Sequence, residues 1–152
     1  HLRDPEAIAN WPHTLGRDGA RTPIPWEKAS AHAGFSEATP WLPVDPTHRA
    51  LAVDVQETDK SSTLHFARKV IALRRRYAEL RTGDLRILDA PESMLVFVRG
   101  EGDAALLCAF NLGGRPVSWR LPKGWSIVEA INLADPSSGE LPPLAGLVAQ
   151  QQ

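Results

Sequence analysis

Cysteine is nearly missing from this chain: Cys108 stands alone among 152 residues. An internal disulfide and a four-cysteine metal site are therefore excluded, and the apolar run AALLCAF around it marks a small buried thiol. Charge of one sign is missing too. Seventeen basic and eighteen acidic side chains give a formal net charge of -1, so no whole-chain field draws the molecule toward phosphate or anionic lipid. No apolar run approaches the roughly 20 residues needed to cross a bilayer, and the opening HLRDPEAIAN has no apolar leader core. The chain also lacks an initiator methionine, which reads as a processed, cleaved or truncated start. Its five histidines, His1, His13, His32, His48 and His65, have no metal-ligand spacing with carboxylates, so neither a metal nor another cofactor is expected. Arg74, Arg75 and Arg76, with Arg68, Lys69 and Arg81 nearby, fall in a helical pattern whose charges cover the wet face. With no aromatic-interleaved or zinc-spaced motif beside them, neither nucleic acid nor membrane is expected as a partner.

Proline, by contrast, is concentrated at one end. Seven of the thirteen prolines, with Trp11, Trp26 and Trp41, lie in residues 1–50, where periodicity is weak. Fifty mostly irregular residues need another surface to lie on. One turn of helix is predicted over Asp4 to Asn10, with Asp4 as cap and Pro5 at the first helical position. Residues 59 to 82 carry the clearest pattern: Leu64, Phe66, Ala67, Val70, Ile71, Leu73, Tyr77 and Leu80 recur at three- and four-residue steps, giving an amphipathic helix. Asp59, Ser61 or Ser62 caps it and Gly83 closes it. From residue 84 the period becomes two. Asp84–Leu88, Ser93–Arg99, Ala104–Asn111, Arg115–Leu121, Ser126–Ile131 and a last stretch near Leu144–Ala149 read as strands of an antiparallel sheet or sandwich. The Gln150–Gln152 tail is expected to fray.

The stretch GRDGARTPIPW, residues 16 to 26, carries two arginines, an aspartate, two glycines and two prolines. In one reading the glycines permit positive backbone angles, the prolines stiffen the exit, and Arg17 with Asp18 makes local polar links. In the other, that stiffness preorganises an arginine, above all Arg21, toward a polar ligand or a buried carboxylate. Composition alone leaves both open.

DPEAIANWPHTLGRDGARTPIPW, followed by GF at residues 34–35 and PWLPV at 40–44, resembles the alpha-glucosidase and oligo-1,6-glucosidase branch of the alpha-amylase family. VDVQETDKSSTLHFARKVIALRRRYAELRTGDL, residues 53 to 85, continues the resemblance. It implies an α+β fragment: residues 1–82 supply the final loop and last helix of a (β/α)8 barrel, and residues 83–152 form an antiparallel β-sandwich C-terminal domain. It implies further that the complete protein is an exo-acting retaining alpha-glucosidase whose catalytic carboxylates lie upstream, so this fragment alone is inactive. Its partners would be the upstream catalytic barrel polypeptide and an alpha-glucoside or short oligosaccharide, in a bacterial cytoplasm.

Residue by residue, Arg21 matches the arginine of the family's RTP motif, a wall of the subsite holding the terminal glucose. Arg17 and Asp18 match its RD pair, where fixing the loop is preferred over touching ligand. Trp26 and Trp41 stand either at the pocket rim or as loop anchors. Ile24 and Pro25 replace the Met-Gln or Met-Pro common in the family. The rival class is a non-catalytic carbohydrate-binding or accessory β module acting without a barrel. A third is a chain that assembles through the surface a barrel would cover.

Overall fold

The computed structural model describes residues 2–14 and 16–152, leaving His1 and Leu15 outside the described residues. The chain divides into two compact units, residues 1–70 and 71–152.

The first unit begins with helix α1, Pro5–Asn10, which starts where a proline costs least and where the Asp4 carboxylate accepts from the Glu6 N–H at 3.1 Å. Tight 3-10 turns follow at Asp18–Arg21, Ala31–Gly34 and Pro46–Leu51. A short helix α2, Val53–Thr58, was not legible in the sequence. The buried apolar residues are mostly small, Ala7, Ala33 and Ala52 with Leu42, whereas Ile8, Trp11, Ile24, Trp26, Phe35, Trp41 and Leu51 are exposed. Backbone bonds, not a core of large side chains, hold this unit together. The Val53 and Asp54 N–H groups donate to the Pro25 and Trp26 carbonyls at 3.0 Å each.

Helix α3, Thr63–Arg76, is shorter than its apolar pattern predicts. Its start is set by Ser62, whose hydroxyl accepts from the His65 N–H, and by Gln56, whose side-chain oxygen accepts from the Leu64 N–H. The pattern predicts one helix over residues 59 to 82, but the helix stops at Arg76 and resumes as α4, Glu79–Thr82. Arginines close the gap: the Arg81 guanidinium donates to the Arg75 carbonyl at 2.6 Å and that of Arg74 to the Leu80 carbonyl. The Arg75 carbonyl freed by the break is thereby satisfied, as is the Leu80 carbonyl near the end of α4.

The second unit is built on a five-stranded antiparallel sheet. Its strands are β1 (Leu85–Ile87), β2 (Met94–Arg99), β3 (Leu106–Asn111), β5 (Trp125–Ile131) and β7 (Gly146–Gln151), in the order β1-β2-β3-β7-β5. Alternation sorts each central strand onto two faces. Val96, Val98, Leu107, Ala109, Leu147 and Ala149 form one buried cluster, against which Trp119, Trp125 and Ile127 pack. Leu106, Cys108 and Val148 form the other, covered by Leu73, Tyr77 and Leu80 from α3 and beyond. A sheet buried on both faces explains why LLCAFN is apolar almost throughout. Gly146 lies opposite Phe110, and a β-carbon there would enter the phenyl ring. Burial pushes the Cys108 thiol up to about 11.

Two expectations are corrected here. The segment read as one strand over Arg115–Leu121 forms only β4, Val117–Ser118, because it pairs with an unforeseen two-residue strand, β6 (Glu140–Leu141). Asn111 organises that corner. Fully buried, its side-chain amide donates to the carbonyls of Arg115, Leu141 and Pro142 at 2.8, 3.0 and 3.0 Å, and its oxygen accepts from the Gly113 N–H at 2.9 Å. The tail is held rather than frayed: the Gln151 N–H donates to Ala105 and that of Gln152 to Gly124. What results is a mixed helix and antiparallel-sheet chain.

Two outcomes follow from this packing. Asn111→Asp removes the donor shared by three carbonyls and should lower the stability of the β4–β6 corner by about 1–3 kcal/mol for each carbonyl left unmet, measured by urea unfolding. Because its neutral thiol is enclosed, Cys108 should stay unreactive toward a disulfide reagent at pH 8 in the folded chain and react fully in denaturant.

Candidate functional site

Residues 3–6 and 16–18 are organised around two buried carboxylates, Asp4 and Asp18. Asp4 is 0% exposed, yet it carries no unmet demand. The Arg17 guanidinium grips it with two bonds, Nε to Oδ2 at 2.8 Å and Nη2 to Oδ1 at 3.0 Å, and the Arg17 backbone N–H adds a third at 2.8 Å. This fork geometry suits arginine and not lysine. Those donors, with the Glu6 N–H, hold the Asp4 carboxyl well below the usual carboxylate range. The arginine itself stays open to water, its side chain 60% exposed.

Asp18 completes the clamp from the other side. It accepts from the Arg3 N–H at 2.6 Å and from the Asp4 N–H at 3.0 Å on both oxygens. Asp4 and Asp18 therefore cross-link residues 3–4 to residues 17–18 through three backbone N–H groups, those of Arg3, Asp4 and Arg17. Gly16 makes the approach possible: its φ is +55°, and a β-carbon would meet Ala7 Cβ and Asp4 Oδ2 at 3.0 Å. Residue identity is thus dictated twice over, by backbone sign and by space.

Arg21 ends the turn that Asp18 begins. Its side chain is exposed, and among the described residues it makes no hydrogen bond or ion pair. A turn whose first residue is anchored by backbone donors thus presents a free guanidinium at its last. Among the described residues no hydrogen bond joins Trp26 to Arg21 or to the clamp. Its N–H donates to the Ala33 carbonyl at 2.8 Å while its indole is half exposed. The Ala33 contact closes a loop in which His32, Ala33 and Gly34 all take left-handed backbone angles, with φ of 48°, 53° and 68°. For the two non-glycine residues that costs roughly 1–2 kcal/mol each.

The loop is braced by Arg49, which donates to the Lys28 and Ser30 carbonyls at 2.7 and 3.0 Å, and by Asp54, which accepts from the Lys28 N–H. Beside it opens a cleft of about 350 Å³ lined by Arg3, His32, Thr39, Trp41 and Arg49 with three apolar neighbours. Sequence reasoning found neither this cleft nor Asp4's partnership with Arg17, since both join residues far apart in the chain. Among the described residues no group of three or more histidine, cysteine, aspartate or glutamate side chains is placed to hold a metal. No helix of the described residues is long and apolar enough to cross a membrane.

Comparison with known proteins identifies the setting. Residues 1–83 match the family model described as Alpha amylase, catalytic domain. The chain is 40% identical over 121 residues to a probable alpha-glucosidase of Rhizobium meliloti (strain 1021), covering 80% of this chain and 22% of that protein. It is 33% identical to an oligo-1,6-glucosidase of Parageobacillus thermoglucosidasius, covering 78% of this chain and 21% of that protein. Among solved structures it resembles the alpha-glucosyl transfer enzyme XgtA, with a TM-score of 0.83 and 37% identity over 99% of this chain and 29% of that one. The trehalulose synthase MutB of Pseudomonas mesoacidophila MX-45 gives 0.72 and 31%, over 90% of this chain and 26% of that one. The chain belongs to the alpha-amylase family. It spans about a fifth of the length of these two curated relatives.

The clamp predicts a sign for acid sensitivity. Asp4 is held lower in the folded chain than the roughly 3.9 of a free aspartate, so its stabilisation is complete above about pH 4 and is lost as pH falls below that. Asp4→Asn should therefore be less stable than the parent at pH 7, and the gap between them should narrow toward pH 2. Urea midpoints across that range check it.

Proposed function

We propose that this chain is the C-terminal part of an exo-acting retaining alpha-glucosidase that hydrolyses terminal alpha-linked glucose. Residues 1–82 supply the loop after the eighth barrel strand and the last barrel helix, and residues 83–152 a C-terminal β domain. Retaining hydrolysis uses two carboxyl groups about 5–5.5 Å apart, one attacking the anomeric carbon and one protonating the leaving oxygen. Asp4 and Asp18, the two buried carboxylates among the described residues, are saturated by donors and hold the loop instead. On this reading the nucleophile and the acid/base come from upstream sequence, as the likeness to the family implies, and that sequence is the chain's principal partner.

The observation that carries the reading is Arg21: a free guanidinium on an anchored turn, inside the segment that matches the family's catalytic domain. In the complete enzyme it pairs with an upstream aspartate and holds the distal hydroxyls of the terminal glucose, closing the pocket to all but chain ends. The substrate is an alpha-glucoside or short oligosaccharide, and the protein works in a bacterial cytoplasm. Likeness to an alpha-glucosyl transfer enzyme supports a second outcome at the same site, in which a sugar hydroxyl replaces water as acceptor.

In the complete protein, Arg21→Ala should lower kcat/KM for a chromogenic alpha-glucoside roughly 10- to 150-fold, the loss of about 1.5–3 kcal/mol expected for one charge-assisted contact. The 152-residue chain alone should release no glucose. Unchanged kcat/KM in the variant, or turnover by the isolated chain, contradicts the reading, and chromatography of the products separates glucose release from transfer.

A further inference from the structure

The cleft beside the left-handed loop gathers two guanidinium groups and an imidazole without an acid. Arg3, His32 and Arg49 line it, and no aspartate or glutamate does. Of the acids nearby in sequence, Glu27 accepts from the Ser30 hydroxyl, Asp45 from the Thr47 N–H at 2.8 Å and Asp54 from Lys28, while Glu37 is exposed and does not line the cleft. Among the described residues the Arg3 guanidinium and the His32 ring make no hydrogen bond or ion pair, and Arg49 spends its recorded bonds on carbonyls. Two guanidinium groups held at one rim repel each other until an anion lies between them. The adjoining wall is apolar: Trp41 is 60% exposed, flanked by Pro40 and Pro43.

We propose that this cleft receives an acidic side chain from the part of the catalytic domain that precedes residue 1, docked with an apolar neighbour over Trp41. This rests on the reading of the chain as the C-terminal part of a longer enzyme. Charge complementarity selects a carboxylate, which arginine binds with two parallel bonds. A small inorganic anion would satisfy the guanidinium groups but leave the indole wet. A polypeptide segment covers both, and exposed apolar surface of this kind beside a polar rim is characteristic of contact faces. Curated relatives four to five times longer than their matched segments supply ample chain to reach it. The left-handed run is then the device that keeps His32 at the rim while Ala33 is buried beneath.

The test uses the complete protein carrying Arg3→Lys, treated with a carbodiimide that joins an amine to a carboxylate in direct contact, and digested for mass spectrometry. The introduced amine should be linked to an aspartate or glutamate preceding residue 1. No link, a link only to Glu37 or another acid within residues 1–152, or a link to a second copy overturns the proposal. Acrylamide quenching gives an independent measure: the part of the fluorescence lost in Trp41→Phe should be several-fold less quenchable in the complete protein than in the 152-residue chain, and equal quenching overturns it. Assaying the same complete protein for glucose release separates the two readings. Release without the crosslink defeats the docking alone, whereas the crosslink without release defeats the glucosidase assignment alone.

Discussion

A carboxylate removed from water must be met by donors, and Asp4 is met by more of them than any other acid described in this chain. The segment that presents Arg3 and begins the Arg21 turn depends on that demand. The side chain caps α1, fixes the Arg17 fork, and brings Gly16 so close that only glycine fits. Asp18 turns the contact into a two-way clamp by taking the backbone N–H groups of Arg3 and Asp4. The same residues therefore set the two ends of the functional stretch: Arg3 opens onto the cationic cleft, and Asp18 begins the turn that presents Arg21. A unit whose buried apolar side chains are mostly alanines needs polar fasteners of this kind.

The second unit is held by the opposite means. Its sheet buries apolar side chains on both faces, and its one deeply buried polar side chain, Asn111, is satisfied at every group it offers. Hydrophobic burial at roughly 25 cal/mol per Å² explains why such a sheet tolerates short, irregular connections. The contrast between the two units matches their proposed roles. One is a set of loops shaped to line a site completed from elsewhere, and the other is a domain with a core of its own.

Much of this was legible in the residues. Period-two alternation located β2, β3 and β5, and the cap-proline pair Asp4–Pro5 located α1, because these signals are local. Features set by distant partners were not. Strand β6 is two residues long and exists only because Val117 and Ser118 lie opposite it. The break after Arg76 is bridged by guanidinium groups, Arg81 reaching back and Arg74 reaching forward to carbonyls six residues away, which an apolar stripe does not register. The bond between Asp4 and Arg17 spans thirteen residues and has no periodic signature. Resemblance to the alpha-amylase family drew attention to Arg17, Asp18, Arg21 and Trp26 together; in the folded chain Arg17 and Asp18 serve the clamp, Arg21 is unbonded among the described residues, and the Trp26 backbone closes the neighbouring loop.

The most direct test of the central claim is hydrogen exchange at the amides the clamp employs. If two buried carboxylates hold this loop, the N–H groups of Arg3, Asp4, Glu6 and Arg17 should exchange slowly and as one group, far behind those of the exposed stretch Glu37–Thr39. Exchange of these four amides as fast as that stretch would contradict the account.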